Sequence, residues 1–430
     1  MEPNKMNDNF TRFDMAKPPR KTRWFLKPLK KILCNPGWKA HTPIITYENG
    51  SENIKAPFLL LCNHNAFLDF KIASNLLGKN DANYVVAIDG FIGREWLLRS
   101  VGCICKRKFT NDITLIKQLK RAINMGNVAV LYPEARYSLC GTTAVLPKSL
   151  GKLAKLLDVP VVTLICHGHH VNSPFWDTSH ERGVKPTEAT YKVLLTKEDI
   201  RTKSVEEINE LIVSDFKYDD FAWQKERGII ISDPNRAKGL HRVLYQCPHC
   251  QKEYMMDSYG TKLVCKNCHK EWEMTELGEL KAIDGETEFS HIPDWYEWER
   301  ENVRKKVRNN AYSSGILNVT VESLPNAKKF IPLGKGTLIH DMNGFKVETT
   351  TSDGAHYEMI KDVASMYSCH IEYQYLFKHG DCIDLNTLDD TWYIYPEGEN
   401  FAVTKMALAT EELYYKYLDE KGIPYKKELV

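Results

Sequence analysis

The sequence predicts an α/β protein with a mixed or mostly parallel sheet flanked by helices, followed by a small cysteine-bound module and a β-rich C-terminal domain. Three observations support this prediction. Short apolar runs alternate with helical periodicity between Pro43 and about Val213. Two Cys-x2-Cys pairs follow that region. The last third of the chain has short alternating strand patterns separated by Gly, Asn and Asp turns.

The length and these patterns predict several domains. A chain of 430 residues is long enough for two or three. We predict a disordered tail with a basic amphipathic segment (1–40), the α/β domain (41–235), the cysteine-bound module (236–285), a helical connector (286–312) and a β-rich domain with a closing helix (313–430). We find no internal repeats.

Cysteine content and hydropathy indicate the compartment. Twelve cysteines in so long a chain are not a disulfide framework, and no apolar signal-peptide core stands near the start, so we expect a reducing compartment. No stretch of about 18 apolar residues occurs that would span a bilayer. We therefore expect a cytoplasmic protein that meets lipid from one side only, on the inner face of the membrane.

The charge is unevenly distributed. The whole chain has a formal net charge of +2, but residues 1–39 contain ten Lys and Arg against three Asp and Glu, so the remainder is negative. This imbalance argues against nucleic acid as a partner for the main body of the chain.

The basic segment TRWFLKPLKKIL, residues 22–33, mixes aromatic and aliphatic residues with lysines. We place Pro28 at the start of a helix, because proline in a helix interior costs about 3 kcal/mol. A basic amphipathic helix with aromatic residues suits an anionic membrane surface. The alternative is a helix that packs on its own domain and exposes its basic side to solvent.

The α/β region predicts the following elements. Strands are expected at Phe58–Cys62, Tyr84–Ala87, Val128–Tyr132 and Val159–Ile165, and helices at Phe91–Ser100, Thr114–Asn124 and Ser149–Leu157. Ser204 and Glu207 form a capping box for a later helix.

The segment FLLLCNHNAFLDF, residues 58–70, contains the first candidate site. A strand brings Asn63 and His64 to a sheet edge just before a helix that we expect from Asp69 to a stop at Gly78. A neutral His64 there could act as a base, and Asp69 could accept its other ring N–H and select the tautomer. The alternative is a histidine that only satisfies a strand end, since a second His-x4-Asp occurs at His379.

Two charged groups follow other predicted strands. Lys106, Arg107 and Lys108 stand beside an apolar run, and could bind a phosphate or form a solvated basic turn. Glu134 and Arg136 follow the strand GNVAVLY, and could hold an anionic substrate or form a structural ion pair.

These four clusters, in this order, resemble the phospholipid/glycerol acyltransferase family of lysophosphatidate acyltransferases. The clusters are Asn63-His64-x4-Asp69, a glycine followed by the basic group, Pro133-Glu134 with Arg136, and Val159-Pro160-Val161-Val162. The resemblance covers roughly residues 41–215. It implies a glycerophospholipid acyltransferase-type sheet and transfer of a fatty acyl group from a thioester, acyl-CoA or acyl carrier protein, to a glycerol hydroxyl at a membrane surface.

The resemblance also implies roles for individual residues. His64 would deprotonate the hydroxyl, and Asp69 would orient the imidazole. Asn63, Arg107, Lys108, Glu134 and Arg136 would form the substrate-binding group, with the two arginines on the phosphate, Glu134 bracing them, and Val159–Val162 shaping the acyl pocket. Two departures from the family pattern weaken the substrate assignment. Ala135 stands in the place of a glycine. Cys105 and Lys106 stand where an apolar-acidic pair is common, so the choice between Arg107 and Lys108 as the phosphate ligand stays open.

Cys247, Cys250, Cys265 and Cys268 have the spacing of a zinc ribbon, with two knuckles separated by fourteen residues. Four thiolates on paired turns make a closed tetrahedral zinc site, which is structural and lets a small module fold. The acidic residues around it favour a protein contact or a lid over a nucleic-acid contact.

Three histidines in the segment CHGHH, His167, His169 and His170, follow the last predicted strand. They could ligate a metal, but a polar surface loop is the simpler interpretation.

We therefore expect a peripheral membrane enzyme of phospholipid biosynthesis that acylates lysophosphatidate, with glycerol 3-phosphate or another lysophospholipid as alternative acceptors. A second hypothesis is a non-catalytic adaptor that binds lipid or protein on an acyltransferase scaffold. A nucleic-acid-binding ribbon protein is the third.

Overall fold

The computed structural model describes residues 11–377 and 379–426. The strands of the first domain are β1 Ile44–Glu48, β2 Leu59–Cys62, β3 Ala82–Ala87, β4 Ile104–Lys106, β5 Val128–Leu131, β6 Val161–His167 and β7 Glu188–Leu195. Its helices are α1 Lys27–His41, α2 Phe67–Leu77, α3 Glu95–Ser100, α4 Ile113–Asn124, α5 Ser149–Leu157, α6 His169–Asn172, α7 Lys197–Thr202, α8 Val205–Asp215 and α9 Asp220–Arg227.

The remaining elements belong to the cysteine-bound module and the C-terminal region. The strands are β8 Met256–Tyr259, β9 Lys262–Cys265, β10 Glu271–Met274, β11 Leu280–Ala282, β12 Ser313–Ser323, β13 Ile331–Asp341, β14 Gly344–Thr350, β15 His356–Asp362, β16 His370–Glu372, β17 Cys382–Asn386 and β18 Thr391–Pro396. The helices are α10 Ile292–Arg308 and α11 Val403–Glu420. Within the described ranges, no helix has the length and apolar character to cross a membrane.

The first domain is built on one seven-stranded sheet. Its strand order is β1-β7-β6-β2-β5-β3-β4. All neighbouring pairs are parallel except β6 and β7, so the prediction of a mostly parallel sheet is confirmed. Because β2, β5 and β6 are adjacent and parallel, their carboxyl ends meet at one edge, where ligands usually bind in open α/β sheets.

The two faces of this sheet enter two different cores. Leu60, Val130 and Val162 point to the side covered by α2. Leu59 and Ala129 point to the other side, which α4, α5 and α8 cover. Strands with both faces buried read as continuous apolar runs, which is the pattern that predicted them.

Three elements differ from the sequence prediction. Helix α2 begins at Phe67, because Asp69 lies inside its first turn and accepts the Ala66 N–H at 2.9 Å. Helix α3 begins only at Glu95, since Gly93 has a φ of 67° and interrupts the expected helix. The alternating pattern of residues 370–377 also predicts a strand. Strand β16 instead ends at Glu372, because positive φ angles at Gln374 and Leu376 turn the chain away.

The second half of the chain forms two antiparallel sheets joined by α10. The module sheet has the order β11-β10-β9-β8, and Trp272 in β10 packs on Trp295 of α10 with ring centroids 5.0 Å apart. The C-terminal sheet has the order β15-β14-β13-β12-β18-β17-β16. Helix α11 is buried along most of its length and packs against α10.

The N-terminal segment combines packed and exposed parts. Residues 1–10 of the predicted disordered tail lie outside the described residues. Phe13 is buried against Phe91, with ring centroids 5.4 Å apart. Helix α1 follows with Pro28 in its first turn, as predicted.

The C-terminal domain is tied to the first domain through a buried carboxylate. Glu411 of α11 accepts from the Arg136 guanidinium at 2.7 Å and from Arg300 of α10 at 2.6 Å, and Ser368 donates to it at 2.8 Å. The first domain, α10 and the C-terminal domain therefore meet at Glu411. A buried ion pair adds little net stability, because both charges lose their hydration. Removing one partner strongly destabilises the protein, because the other charge stays buried without compensation.

We therefore expect Glu411→Ala to lower the free energy of unfolding by about 3–5 kcal/mol, because Arg136 loses its one carboxylate partner among the described residues. Urea unfolding followed by tryptophan fluorescence measures the change. Glu420→Ala, at the exposed end of the same helix, is the matched control and should stay within about 0.5 kcal/mol of the parent. Equal unfolding curves for the two variants would contradict the importance of this contact.

Candidate functional site

The end of β2 is fixed to the end of β6 by Asn63. Its side-chain amide donates to the Cys166 carbonyl at 2.9 Å, and its amide oxygen accepts the Cys166 N–H at 2.8 Å. The side chain is fully buried. Both polar atoms of the Asn63 side chain are thus hydrogen-bonded to backbone groups. These bonds fix Asn63, and with it the start of the turn that carries His64.

His64 and Asp69 form a pair in the turn between β2 and α2. His64 Nδ1 lies 3.3 Å from Asp69 Oδ2, which also accepts the N–H groups of Asn65 at 2.6 Å and Ala66 at 2.9 Å. Asp69 is fully buried, whereas 22% of the His64 side chain is exposed. Burial raises the pKa of the Asp69 carboxyl, but hydrogen bonds from His169 and His64 outweigh it and lower the pKa to about 2.

The imidazole of His64 is held between two aromatic rings. Tyr132 and Tyr137 each lie with their ring centroid 4.3 Å from that of His64. The His64 carbonyl accepts the Ser138 N–H at 2.8 Å, which joins the loop after β5 to this turn. Ala135 in that loop has a φ of 57°, a left-handed conformation that explains why glycine is the easier residue at this place.

This arrangement selects one tautomer of His64. When Nδ1–H donates to Asp69, Nε2 has no proton and can accept one. Since the ring is wedged between tyrosines and its partner stays ionised, it is oriented before any substrate arrives. The pair can therefore take a proton from a hydroxyl and return it to a leaving group.

Glu134 lies beneath this pair, away from solvent. It is 1% exposed, and its closest side-chain hydroxyl is that of Tyr218, 3.5 Å from Oε2. The same hydroxyl donates to Asn65 at 2.9 Å. Burial, and then the charge of Asp69, raises the pKa of Glu134 well above its ordinary value.

Arg107 is directed into the C-terminal domain. It is 2% exposed and donates to the carbonyls of Leu324, Pro325 and Asp389 and to the Thr391 hydroxyl, at 2.6–3.1 Å. These contacts use both of its terminal nitrogens. A phosphate could reach the guanidinium only if strands β12 and β18 moved away.

Lys108 points into a different cluster. Its ammonium lies 3.7 Å from Asp384 and 3.9 Å from Asp89, and 2.8 Å from a ring nitrogen of His370. Lys108 keeps 15% of its side chain exposed and Asp89 keeps 18%. Of the two basic residues left open by the sequence, Lys108 is the more accessible, but two carboxylates already surround it.

Arg136 is also engaged by the C-terminal domain, through Glu411 and the Cys369 carbonyl. The structure thus brings His64 and Asp69 into direct contact and places Asn63 and Glu134 around their turn. It holds both arginines in contacts with residues 324–325, 369, 389–391 and 411. Nothing in the local sequence signals those contacts, because their partners lie more than 200 positions away.

The three histidines after β6 are not a surface loop. His169 and His170 are fully buried, and His169 Nδ1 lies 2.5 Å from Asp69 Oδ1. His170 packs on Trp176, and His167 lies parallel to the Trp223 ring. The interpretation as polar surface was wrong for His169 and His170. The sequence does not reveal that α6 packs against the sheet edge and brings His169 to Asp69.

The four cysteines of the module come together and could hold a metal ion. Their sulfur atoms all lie within 4.8 Å of one another, and the pairs Cys247–Cys268 and Cys250–Cys265 are 3.7 Å apart. Four sulfurs at about 2.3 Å from a central zinc would be separated by about 3.8 Å in a tetrahedron. The spacing therefore fits a tetrahedral thiolate site and is too long for disulfides.

Comparison with known proteins finds a likeness in the part of the chain that carries His64 and Asp69. Residues 45–167 match the Acyltransferase family model. This acyltransferase segment runs from β1 to the end of β6 and contains both residues of the pair.

Similar solved structures include the crystal structure of the 1-acyl-sn-glycerophosphate (LPA) acyltransferase, PlsC, from Thermotoga maritima. It has 16% sequence identity and a TM-score of 0.34, over 45% of this chain and 82% of that chain. No curated protein sequence matches. The likeness to acyltransferases rests on the family model, over residues 45–167.

The raised pKa of Glu134 gives a prediction with a definite sign. A carboxyl that holds its proton more tightly when folded contributes full stability below the pKa of the unfolded chain, about 4.3, and loses it as the pH rises above that value. Glu134→Gln carries no such penalty. Relative to the parent, we expect it to gain free energy of unfolding with rising pH, by at most about 1.4 kcal/mol per pH unit.

Urea unfolding at pH 5, 6 and 7 measures this difference. The control is Glu226→Gln, whose carboxylate is exposed and should show no such trend. A difference between Glu134→Gln and the parent that is the same at all three pH values would contradict a raised pKa at Glu134.

Proposed function

We propose that this chain is a peripheral membrane acyltransferase that moves a fatty acyl group from a thioester donor to a free hydroxyl of a glycerophospholipid acceptor. Lysophosphatidate is the proposed acceptor, and acyl-CoA or acyl carrier protein the proposed donor. The observation that carries the proposal is the His64–Asp69 pair at the carboxyl edge of the sheet, with 22% of the His64 side chain exposed, in a segment that matches the acyltransferase family model.

The chemistry follows from the orientation of that pair. Nε2 of His64 accepts the proton of the acceptor hydroxyl as its oxygen bonds to the thioester carbonyl carbon. Collapse of the tetrahedral adduct breaks the carbon–sulfur bond, and the thiolate leaves with the proton from Nε2. Asp69 stabilises the imidazolium between these steps. No acyl-enzyme is required.

The contacts of the arginines favour a second candidate acceptor class. Arg107 and Arg136 donate to C-terminal residues, so a phosphate monoester has no free guanidinium here. A lysophospholipid with a phosphodiester, which needs only a hydroxyl near His64, avoids this requirement. For lysophosphatidate to bind as the sequence implies, the C-terminal domain must release at least one arginine.

Exposed apolar residues on α1 and its flank support membrane contact. Trp24 is 81% exposed and Ile32 is 70% exposed, and Lys27, Lys30 and Lys31 lie on the same short helix. Large apolar side chains next to lysines fit an anionic phospholipid surface, where each cation contributes about 1 kcal/mol. We place the protein on the cytoplasmic, inner face of the membrane, with no nucleic acid among its partners.

The catalytic proposal is tested by His64→Ala and Asp69→Asn in the purified protein. Loss of a positioned base should reduce the rate by roughly 10²–10⁴-fold. Product formation is measured by mass spectrometry with acyl-CoA or acyl carrier protein as donor. The acceptors are lysophosphatidate, glycerol 3-phosphate and lysophosphatidylcholine.

A matched control uses a second histidine–carboxylate pair. His180 lies 2.8 Å from Asp233 in a loop away from this turn, so His180→Ala should keep the parent rate. An undiminished rate in His64→Ala would refute the assigned base. A parent protein that binds liposomes but forms no product with any donor would support the adaptor hypothesis instead.

For the four-cysteine site we propose a structural zinc ion. The tetrahedral sulfur spacing and an all-thiolate donor set fit zinc, and a site closed by four protein ligands has no open position for substrate. Cys247, Cys250, Cys265 and Cys268 would hold the ion and stabilise the four-stranded sheet of the module.

Elemental analysis of the purified protein should find one zinc per chain, and Cys250→Ser and Cys268→Ser should lower this content and the unfolding temperature. Cys34→Ser, which changes a buried cysteine of α1, should retain the metal. Zinc contents that are the same in Cys250→Ser and the parent would contradict the site.

A further inference from the structure

The carboxylate of Asp69 serves two histidines. Its Oδ2 atom accepts hydrogen bonds from His64 Nδ1 and from the two backbone N–H groups of the turn, those of Asn65 and Ala66. Among the described residues, its Oδ1 atom accepts only from His169 Nδ1, at 2.5 Å. The side chains of Asp69 and His169 are both 0% exposed. Within the described part of the chain, His169 is therefore the one side chain that donates to Oδ1, the Asp69 oxygen that does not contact His64.

The backbone on either side of His169 is fixed. Gly168 has a φ of 85°, and a Cβ atom there would lie 2.8 Å from the Trp223 ring, so only glycine fits. The buried Asp220 carboxylate accepts the N–H of Gly168 at 3.1 Å and that of His170 at 2.8 Å. The turn thus presents the His169 ring to Asp69 in one position.

The ring of His169 can serve Asp69 in only one way. Nδ1 must carry the proton that it donates to the carboxylate, and Nε2 is buried with no hydrogen-bond partner among the described residues. A second proton on Nε2 would have no acceptor there. His169 thus acts as a fixed N–H donor.

The competition between the two histidines has a physical consequence. A carboxylate that already accepts a hydrogen bond from one N–H is a weaker acceptor for a second. Asp69 therefore attracts the Nδ1 proton of His64 less strongly. The low pKa of Asp69, about 2, which burial opposes and the hydrogen bonds of His169 and His64 produce, fits a carboxylate that stays ionised throughout.

We propose that His169 is a positioning residue that acts through Asp69: it fixes the carboxylate that orients the His64 ring and weakens the acceptance of the His64 Nδ1 proton by that carboxylate. This inference rests on the proposed function for its catalytic meaning. The effect on His64 itself is a property of the folded protein and can be measured without turnover.

Other titratable groups face this trio and must stay constant in the test. They are Cys62 of β2, Tyr132, Glu134 and Tyr137 after β5, Cys166 of β6, His170 of α6 and Tyr218 before α9, with Asp89 and Glu372 beyond Tyr137. None of the substitutions below changes them, apart from the control at His170.

Three variants of the full chain separate positioning from structure. His169→Leu removes the donor and keeps an apolar side chain of similar size. His169→Asn retains an N–H near the place of Nδ1. His170→Phe is the matched control, because His170 neighbours His169 in α6 but packs on Trp176 and Phe221 without touching Asp69.

In His169→Leu, we expect kcat/KM at pH 7 to fall by roughly 10–100-fold, as for other groups that orient a reacting residue. The acid limb of the kcat/KM profile should move to higher pH by about one unit. His169→Asn should restore most of both, and His170→Phe should retain the parent profile. The readout that needs no activity is an NMR titration of the His64 ring, in protein labelled with ¹⁵N-histidine.

The outcomes are distinguishable. A His64 titration that shifts upward in His169→Leu but not in His169→Asn supports the proposal, even if the parent shows no acyl transfer and the proposed function fails. Folded His169→Leu with the parent titration and the parent kcat/KM overturns it. So does His169→Asn that shifts as far as His169→Leu, because the N–H would then have no role.

Discussion

A buried, ionised carboxylate is the constraint on which this site depends. Asp69 has no solvent to stabilise its charge, so it needs donors from the protein. Those donors come from two turns, the one after β2 and the one after β6. Asn63 joins the same two strand ends through the Cys166 backbone. The imidazole of His64, the sheet edge and α6 are therefore parts of one hydrogen-bonded unit.

The second constraint is that the C-terminal domain binds two buried guanidinium groups of the first domain. Arg107 and Arg136 follow strands of the acyltransferase segment, yet carbonyls, one hydroxyl and one carboxylate from residues beyond 320 accept hydrogen bonds from their terminal nitrogens. Guanidinium groups this deeply buried require such partners. The same contacts that hold the domains together also occupy the groups that would bind an acceptor phosphate. Under the proposed function, acceptor choice and domain contact are therefore coupled.

The cysteine-bound module is connected to this network through α10. Trp295 of that helix packs on Trp272 in the module, and Arg300, further along it, pairs with Glu411. Glu411 in turn pairs with Arg136 in the loop that supports His64. A metal that stabilises the module would therefore stabilise the position of α10 as well, and with it the contact between the C-terminal domain and the acyltransferase segment.

The amino-acid sequence by itself determined the mostly parallel sheet, the His64–Asp69 contact and the grouping of the four cysteines, because each depends on residues close in the chain or on a spacing with one simple geometric solution. Apolar runs become buried strands, and five residues across a strand-to-helix turn bring an imidazole to a carboxylate. Only the tertiary structure decided the partners of Arg107 and Arg136 and the burial of His169. Those contacts join residues separated by 100 to nearly 300 positions, and the pairing of buried charges depends on how whole domains pack.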